Sequence, residues 1–239
     1  MEMLLVTLLT ILAAGVGTLT GFGTSTIMVP VLLLWFPVPE TLLFVGIIHW
    51  FGDIWKMALF REGFRWRIIL LFGVPGILLS YVGARFVFSV PETLLSHILG
   101  GFLVVYVAYL AWKPTFRIPP NTLNAMIGGG LSGFFSGVFG VGGAVRGAFL
   151  SAFDLPKTVY IATAGAIGLA VDSSRLITYF SEGAILPRLF LLALILCIPA
   201  SLVGAHLAKR IVAHISEQRF RTVVAVFLLL VGLKLVLWP

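Results

Sequence analysis

Apolar runs long enough to cross a bilayer recur from one end of this chain to the other, and that feature decides its class before any motif is read. Of 239 residues, 60% are hydrophobic and only 10% are charged, with a mean hydropathy of +1.12. A soluble domain carries roughly a quarter charged residues. The longest polar stretches, "RIPPNTLN" and "AHISEQRFR", have the length of loops and leave no room for a separate soluble domain. The expected fold is therefore all-α, a polytopic helical membrane protein whose first partner is the lipid bilayer. The formal charge of +7 is spread through short loops without a block or stripe, so it reads as topology and not as a nucleic-acid surface. The single cysteine, Cys197, can form no internal disulfide and reads as a small apolar packing residue. The opening stretch "MEMLLVTLLTILAAG" lacks a basic leader and runs on past signal length, so it reads as a retained membrane segment.

Six stretches read as ordinary spans: 41–60, 66–88, 93–112, 158–180, 185–207 and 219–237. Two others, 3–36 and 122–152, are too long for one upright span and short for two. Glycine, serine and threonine crowd the middle of both, as "GVGTLTGFGTST" and "GGGLSGFFSGVFGVGG". Each is either one broken, tilted helix or a hairpin of two short helices with its tip inside the membrane. The basic residues choose between these, because they mark cytoplasmic loops. With hairpins, those of 61–67, 113–117, 157, 209–210 and 219–221 share one side, against Arg85, Arg188 and Lys234 on the other. With single crossings they divide almost evenly. The hairpin reading places both termini away from the cytoplasm.

The two breaks are also related to each other. Gly21 and Gly140, and Gly23 and Gly142, each lie 119 residues apart, as do Asp53 and Asp172, and Lys56 and Arg175. "GAR" at 83–85 is answered by "GAH" at 204–206. The chain then divides into a first repeat, 1–117, and a second, 118–239, each a glycine-tipped hairpin followed by three spans. An odd number of crossings turns the second repeat upside-down. Inverted repeats with interruptions at corresponding places point to a transporter with its substrate at the interruptions.

Chemistry at the breaks follows from backbone geometry. Irregular backbone at membrane depth survives only inside protein or beside a watery cavity. A helix starting after each tip turns its free N–H groups and the positive end of its dipole towards that tip, which favours an anion. Gly21, Gly23, Thr24 and Ser25 in the first tip, and Gly140, Gly142, Gly143 and Arg146 in the second, are the candidate substrate-binding residues. For Gly128, Gly129, Gly133 and Gly137 the alternative is close helix packing by small residues.

"HWFGDIWK" sets His49, Asp53 and Lys56 on one helical face, and "DSSR" repeats the spacing as Asp172 and Arg175. A charge inside the hydrocarbon is costly unless it is paired or faces water. Each aspartate either neutralises its own basic neighbour or orients it towards a negative substrate. Lys56 and Arg175 are candidate substrate ligands, and Lys56 has the alternative of snorkelling to the surface. His49, Asp53 and Asp172 are the candidate coupling and orienting groups. His49 is either simply hydrogen-bonded or proton-linked, as imidazole titrates near neutrality.

No nucleophile elbow, His-Glu metal motif or Walker loop is present, so no enzyme activity, metal or cofactor is expected. An anion channel and, further off, an intramembrane hydrolase are the rivals to a transporter.

The paired motifs "GFGTSTIMVP" and "SGVFGVGGAVRG", with "FREGFRW" and the "GAR" and "GAH" segments, resemble those of the TauE/SafE sulfite exporter family over essentially the whole chain. The sequence departs from that pattern at Thr24 and Ser25, which stand where glycines are usual, and at Phe149, which stands where Pro30 does in the first motif. The resemblance implies an inner-membrane protein that exports a small sulfur-containing anion, sulfite or an organosulfonate such as sulfoacetate, by alternating access. The residues themselves argue only for a small anion. Import, the coupling ion and assembly as a monomer or homodimer stay open.

Overall fold

A computed structural model describes residues 2–20, 23–61, 63–112, 118–211, 226, 229–230 and 232–237. Helices follow one another as α1 (Glu2–Thr20), α2 (Ser25–Leu32), α3 (Val38–Leu59), α4 (Trp66–Ser89), α5 (Glu92–Trp112), α6 (Thr122–Phe139), α7 (Gly142–Leu150), α8 (Lys157–Ser181) and α9 (Arg188–Ile211). A single 3₁₀ turn, Ser151–Phe153, follows α7. There is no strand among the described residues. Most of the stretch read as the span 219–237 lies outside them, as does Gly21.

Among the described residues three helices, α3, α4 and α9, pass as membrane spans on length and apolarity alone. α8 is longer, at 25 residues, but carries Asp172 and Arg175 within its length. Outward faces of α4 and α9 present Leu70, Val74, Leu78, Leu191 and Ile195, as lipid-facing helices do. α3 is the interior helix, with Leu42, Leu43, Phe44, Val45 and Ile48 wholly buried. Both α3 and α8 start directly after a proline, Pro37 and Pro156, whose fixed φ suits a helix entrance.

The long glycine-centred stretches are broken, with unequal arms. α1 has 19 residues, about 28 Å, whereas α2 has 8 residues, about 12 Å. α6 and α7 repeat this with 18 and 9. Gly140 ends α6 in the left-handed region at φ +70, where a side chain would be strained, and its N–H closes on the carbonyl of Ser136 at 2.8 Å. The chain then doubles back: a Cβ on Gly142 would strike the carbonyl of Ser132, and one on Gly128 would strike the ring of Phe149. In the first tip the left-handed residue is Gly23, at φ +86, whose N–H reaches the carbonyl of Gly17 at 3.3 Å.

Glycines also explain how the helices meet. Gly129, Gly133 and Gly137 lie against the backbone of Phe72, Gly76 and Ser80, so that α6 runs parallel to α4 with almost nothing between them. Close backbone approach of this kind lets dispersion hold helices together where lipid offers no hydrophobic drive. Gly83 of "GAR" packs on the carbonyl of Phe134 in α6, and Gly204 of "GAH" on the carbonyl of Ile11 in α1. So α4 lies against α6, and α9 against α1. At one end of the bundle Lys209 donates to the carbonyl of Leu59 at 2.8 Å, and the N–H of Arg65 donates to Thr163 Oγ1 at 3.3 Å. At the other, Arg85 pairs with Glu182 at 2.9 Å.

Candidate functional site

α3 and α8 cross antiparallel at the centre of the molecule. Gly46 faces Arg175, His49 faces Asp172, Asp53 faces Gly168 and Lys56 faces Gly165. Trp50 Nε1 donates to Ser173 Oγ across the same seam at 2.9 Å. Two of the glycines leave room for a neighbour. A Cβ on Gly168 would collide with Oδ2 of Asp53, and one on Gly46 would crowd a methyl of Leu176 at 2.9 Å and stand in ordinary contact, 3.5 Å, with the Arg175 guanidinium carbon.

Along this seam the charged groups form one chain. Lys56 Nζ donates to Asp53 Oδ1 at 2.7 Å, and Arg175 Nε donates to Asp172 Oδ1 at 2.8 Å. Ser136 of α6 also donates to Asp172 Oδ1, at 3.1 Å. His49 sits between the two carboxylates, with Nδ1 2.6 Å from Oδ2 of Asp172 and Nε2 3.8 Å from Oδ1 of Asp53. Each aspartate thus holds its own basic neighbour. Lys56 does not snorkel: it is 2% exposed and spends its ammonium on Asp53.

Both tips reach this chain. A Cβ on Gly23 would overlap Nε2 of His49, and the position of a Cβ on Gly52 is 3.4 Å from Thr24 Oγ1. A Cβ on Gly140 would lie 3.0 Å from Nη1 of Arg175 and 3.1 Å from a methyl of Val29, so the second tip touches both the charges and α2. Arg146, one turn into α7, brings Nη2 to 3.1 Å from the vacant Cβ position of Gly168, beside Asp53. Gly142 is different, because its open side faces α6 and serves the chain reversal. Gly143 is buried in the first turn of α7.

What these groups lack is informative. Thr24, Ser25, His49, Asp53, Lys56, Arg146, Asp172 and Arg175 are all at most 2% exposed. Nε and Nη2 of Arg146, Nη1 and Nη2 of Arg175, and Oγ of Ser25 have no hydrogen-bond partner. Neither α2 nor α7 has a side-chain cap on its first N–H groups. Buried polar groups are ordinarily satisfied, and an unpaired buried charge is costly. The unmet groups are of both signs: guanidinium N–H groups of Arg146 and Arg175, the second carboxylate oxygens of Asp53 and Asp172, and both ring nitrogens of His49. Three cationic and two anionic side chains leave the cluster one positive charge in excess with His49 neutral, and two with it protonated.

A cation would fit here poorly. His49, Asp53 and Asp172 do offer ligand atoms within 4.8 Å of one another. Both Oδ2 atoms are unpaired, but both Oδ1 atoms are taken by Lys56 and Arg175 and Arg146 stands close by, so a metal ion would add to an existing positive excess. A multi-oxygen anion would meet the unpaired donors and cancel the charge together.

Sequence reasoning missed Gly46, Gly165, Gly168 and Ser136. Gly168 was reachable: it stands four residues before Asp172, as His49 does before Asp53. Ser136 lies within the glycine-rich run of α6 and has no such signal.

Interrupted helices that converge on a buried charge cluster give this helical membrane protein the outline of a polytopic solute carrier. The model of the sulfite exporter TauE/SafE family matches residues 6–235, and the chain belongs to that family of membrane transporters. No curated protein matches it.

Proposed function

We propose that the protein exports a small sulfur oxyanion, sulfite or an organosulfonate such as sulfoacetate, across the cell inner membrane by alternating access. The substrate binds between the two tips, against Arg146, Arg175, Ser25, Thr24 and the uncapped first turns of α2 and α7. Lys56 and Arg175, oriented by Asp53 and Asp172, supply further positive potential. The observation that carries this reading is the set of buried, unpaired guanidinium N–H groups of Arg146 and Arg175. Removing such donors from water is unfavourable unless a partner arrives, and the family membership supports a sulfur oxyanion as that partner.

In this proposal residues 1–117 and 118–239 are inverted repeats. The antiparallel α3–α8 crossing supports it, as does the packing of α4 on α6 and α9 on α1, in which the second span of each half rests on the other half's hairpin. Such an arrangement lets one half rock against the other around a fixed site. The Lys- and Arg-rich end near Leu59, Arg65 and Lys209 is the cytoplasmic one, with both termini outside.

The test is efflux and counterflow of labelled sulfite and sulfoacetate in proteoliposomes. Wild type should saturate, and Arg146→Ala should lose transport by about two orders of magnitude, the scale expected for losing one charged hydrogen-bond partner. Unchanged transport and affinity in Arg146→Ala would remove the arginine from the site.

A further inference from the structure

We infer that His49 is a proton-binding site whose charge sets the valence of the bound anion: a dianion enters together with one proton on His49, a monoanion without it. This rests on the anion reading above and adds the rule by which the site selects charge.

The geometry places the ring between two carboxylates. Nδ1 of His49 and Oδ2 of Asp172 are 2.6 Å apart, an ion-pair contact in which neither atom is aligned for a hydrogen bond. Oδ1 of Asp172 is already taken by Arg175 and Ser136. Nε2 is likewise buried without a hydrogen-bond partner and looks across 3.8 Å to Oδ1 of Asp53. A proton on either ring nitrogen therefore faces a carboxylate.

Charge counting does the rest. The groups around the ring are Asp53 and Lys56 on its own helix, Asp172 and Arg175 on α8, and Arg146 on α7. From α2 the ring meets the backbone of Gly23. The nearby Tyr179 spends its hydroxyl on the carbonyl of Gly137. With the ring neutral the cluster carries one positive charge, which a monoanion cancels. With the ring protonated it carries two, which a dianion cancels. In a closed site an uncancelled charge is expensive, so the ring takes up a proton when the second negative charge arrives. The exchange is of one proton, which moves from solution to the ring and returns when the anion leaves.

Anions that do not titrate near neutrality separate this from chemistry of the ligand itself. Purified protein in weakly buffered detergent solution is titrated with thiosulfate or sulfate, both dianions, and with methanesulfonate, a monoanion, while a pH indicator counts protons. The dianions should take up about one proton per bound ion, and methanesulfonate none. In His49→Gln, whose amide is of similar size and polarity but cannot titrate, the uptake should vanish for both dianions and stay absent for methanesulfonate. Wild type alone gives a second reading. Wherever thiosulfate binding takes up one proton, its Kd should rise about tenfold per pH unit while that of methanesulfonate stays flat. Equal proton uptake by both valences, or uptake that survives in His49→Gln, overturns the inference. If no anion binds in an Arg146-dependent way, the failure is visible as missing binding and falls on the anion reading itself.

Discussion

The two ends of the α3–α8 crossing are built alike and charged differently. Gly46 faces Arg175 at one end and Gly165 faces Lys56 at the other, each basic residue held by its own aspartate. The likeness stops at the group that faces the opposing aspartate. Towards Asp172 that group is His49, a titratable ring rooted on α3. Towards Asp53 it is Arg146, a permanent charge brought in by the second hairpin across the gap left by Gly168. Residue 27, which stands 119 positions before Arg146, is an isoleucine. The ion pairs match at the two ends and the further partners do not: Asp172 also meets His49 at 2.6 Å and Ser136 at 3.1 Å, whereas Asp53 meets His49 only at 3.8 Å.

That difference should be largest in the stability of the aspartate variants. Asp172→Ala strips partners from Arg175, His49 and Ser136 at once and leaves a buried guanidinium uncompensated, at a cost of about 3–5 kcal/mol. Asp53→Ala removes the hydrogen-bond partner of Lys56 and only a longer, 3.8 Å contact to His49, and should cost less in the same detergent unfolding titration. Equal losses would mean that the asymmetry around the two carboxylates has no energetic content.

Arg146 gives the next effect, with the opposite sign. Its Nε and Nη2 are buried without partners, so replacing it with an apolar chain of similar length removes a penalty. Arg146→Met should stabilise the ligand-free protein by about 1 kcal/mol or more while transport is lost, as at functional sites that trade stability for activity. A fall in stability would mean that Arg146 holds the fold together as Arg175 does, and the contrast between the two ends would narrow to His49 alone.

Much of this was legible beforehand, for identifiable reasons. The helical membrane class follows from apolar density, and the breaks follow from runs such as "GFGTS" and "GVFGVGG" that no packed helix needs. Lys56 with Asp53, and Arg175 with Asp172, were visible because their spacing puts them on one helical face. What spacing within a helix cannot give is contact between helices. The pairing of His49 with Asp172 depends on the crossing of α3 and α8, and the arrival of Arg146 beside Asp53 depends on the reversal at Gly140. Gly129, Gly133 and Gly137 could have served a site or a seam, and only their contact with the α4 backbone assigns them to the seam.

Gly168 tests the geometry of the Arg146 end directly. A methyl there meets Oδ2 of Asp53 and crowds Nη2 of Arg146, so Gly168→Ala should cost about 1–3 kcal/mol, in the range of overpacked cores. It should also weaken anion binding by displacing both groups. Gly101→Ala is the matching control, because a Cβ there meets nothing within 4 Å and should be near neutral. Were the two variants alike, the close approach of Asp53 to α8 would be illusory.

The smallest effect concerns what the crossing needs besides its charges. Trp50 Nε1 donates to Ser173 Oγ one residue beyond the His49–Asp172 contact, tying α3 to α8 through neutral atoms. Trp50→Phe removes the donor but leaves the serine hydroxyl bonded to the carbonyl of Leu169 at 2.7 Å, so no buried group is orphaned. The loss should stay at about 0.5–1 kcal/mol, the net worth of one neutral hydrogen bond, with the proton count at His49 unchanged. If the count changed as well, the valence rule would depend on how the helices are clamped and not only on the five charges around the ring. That outcome would make the difference between the two ends a property of the whole seam.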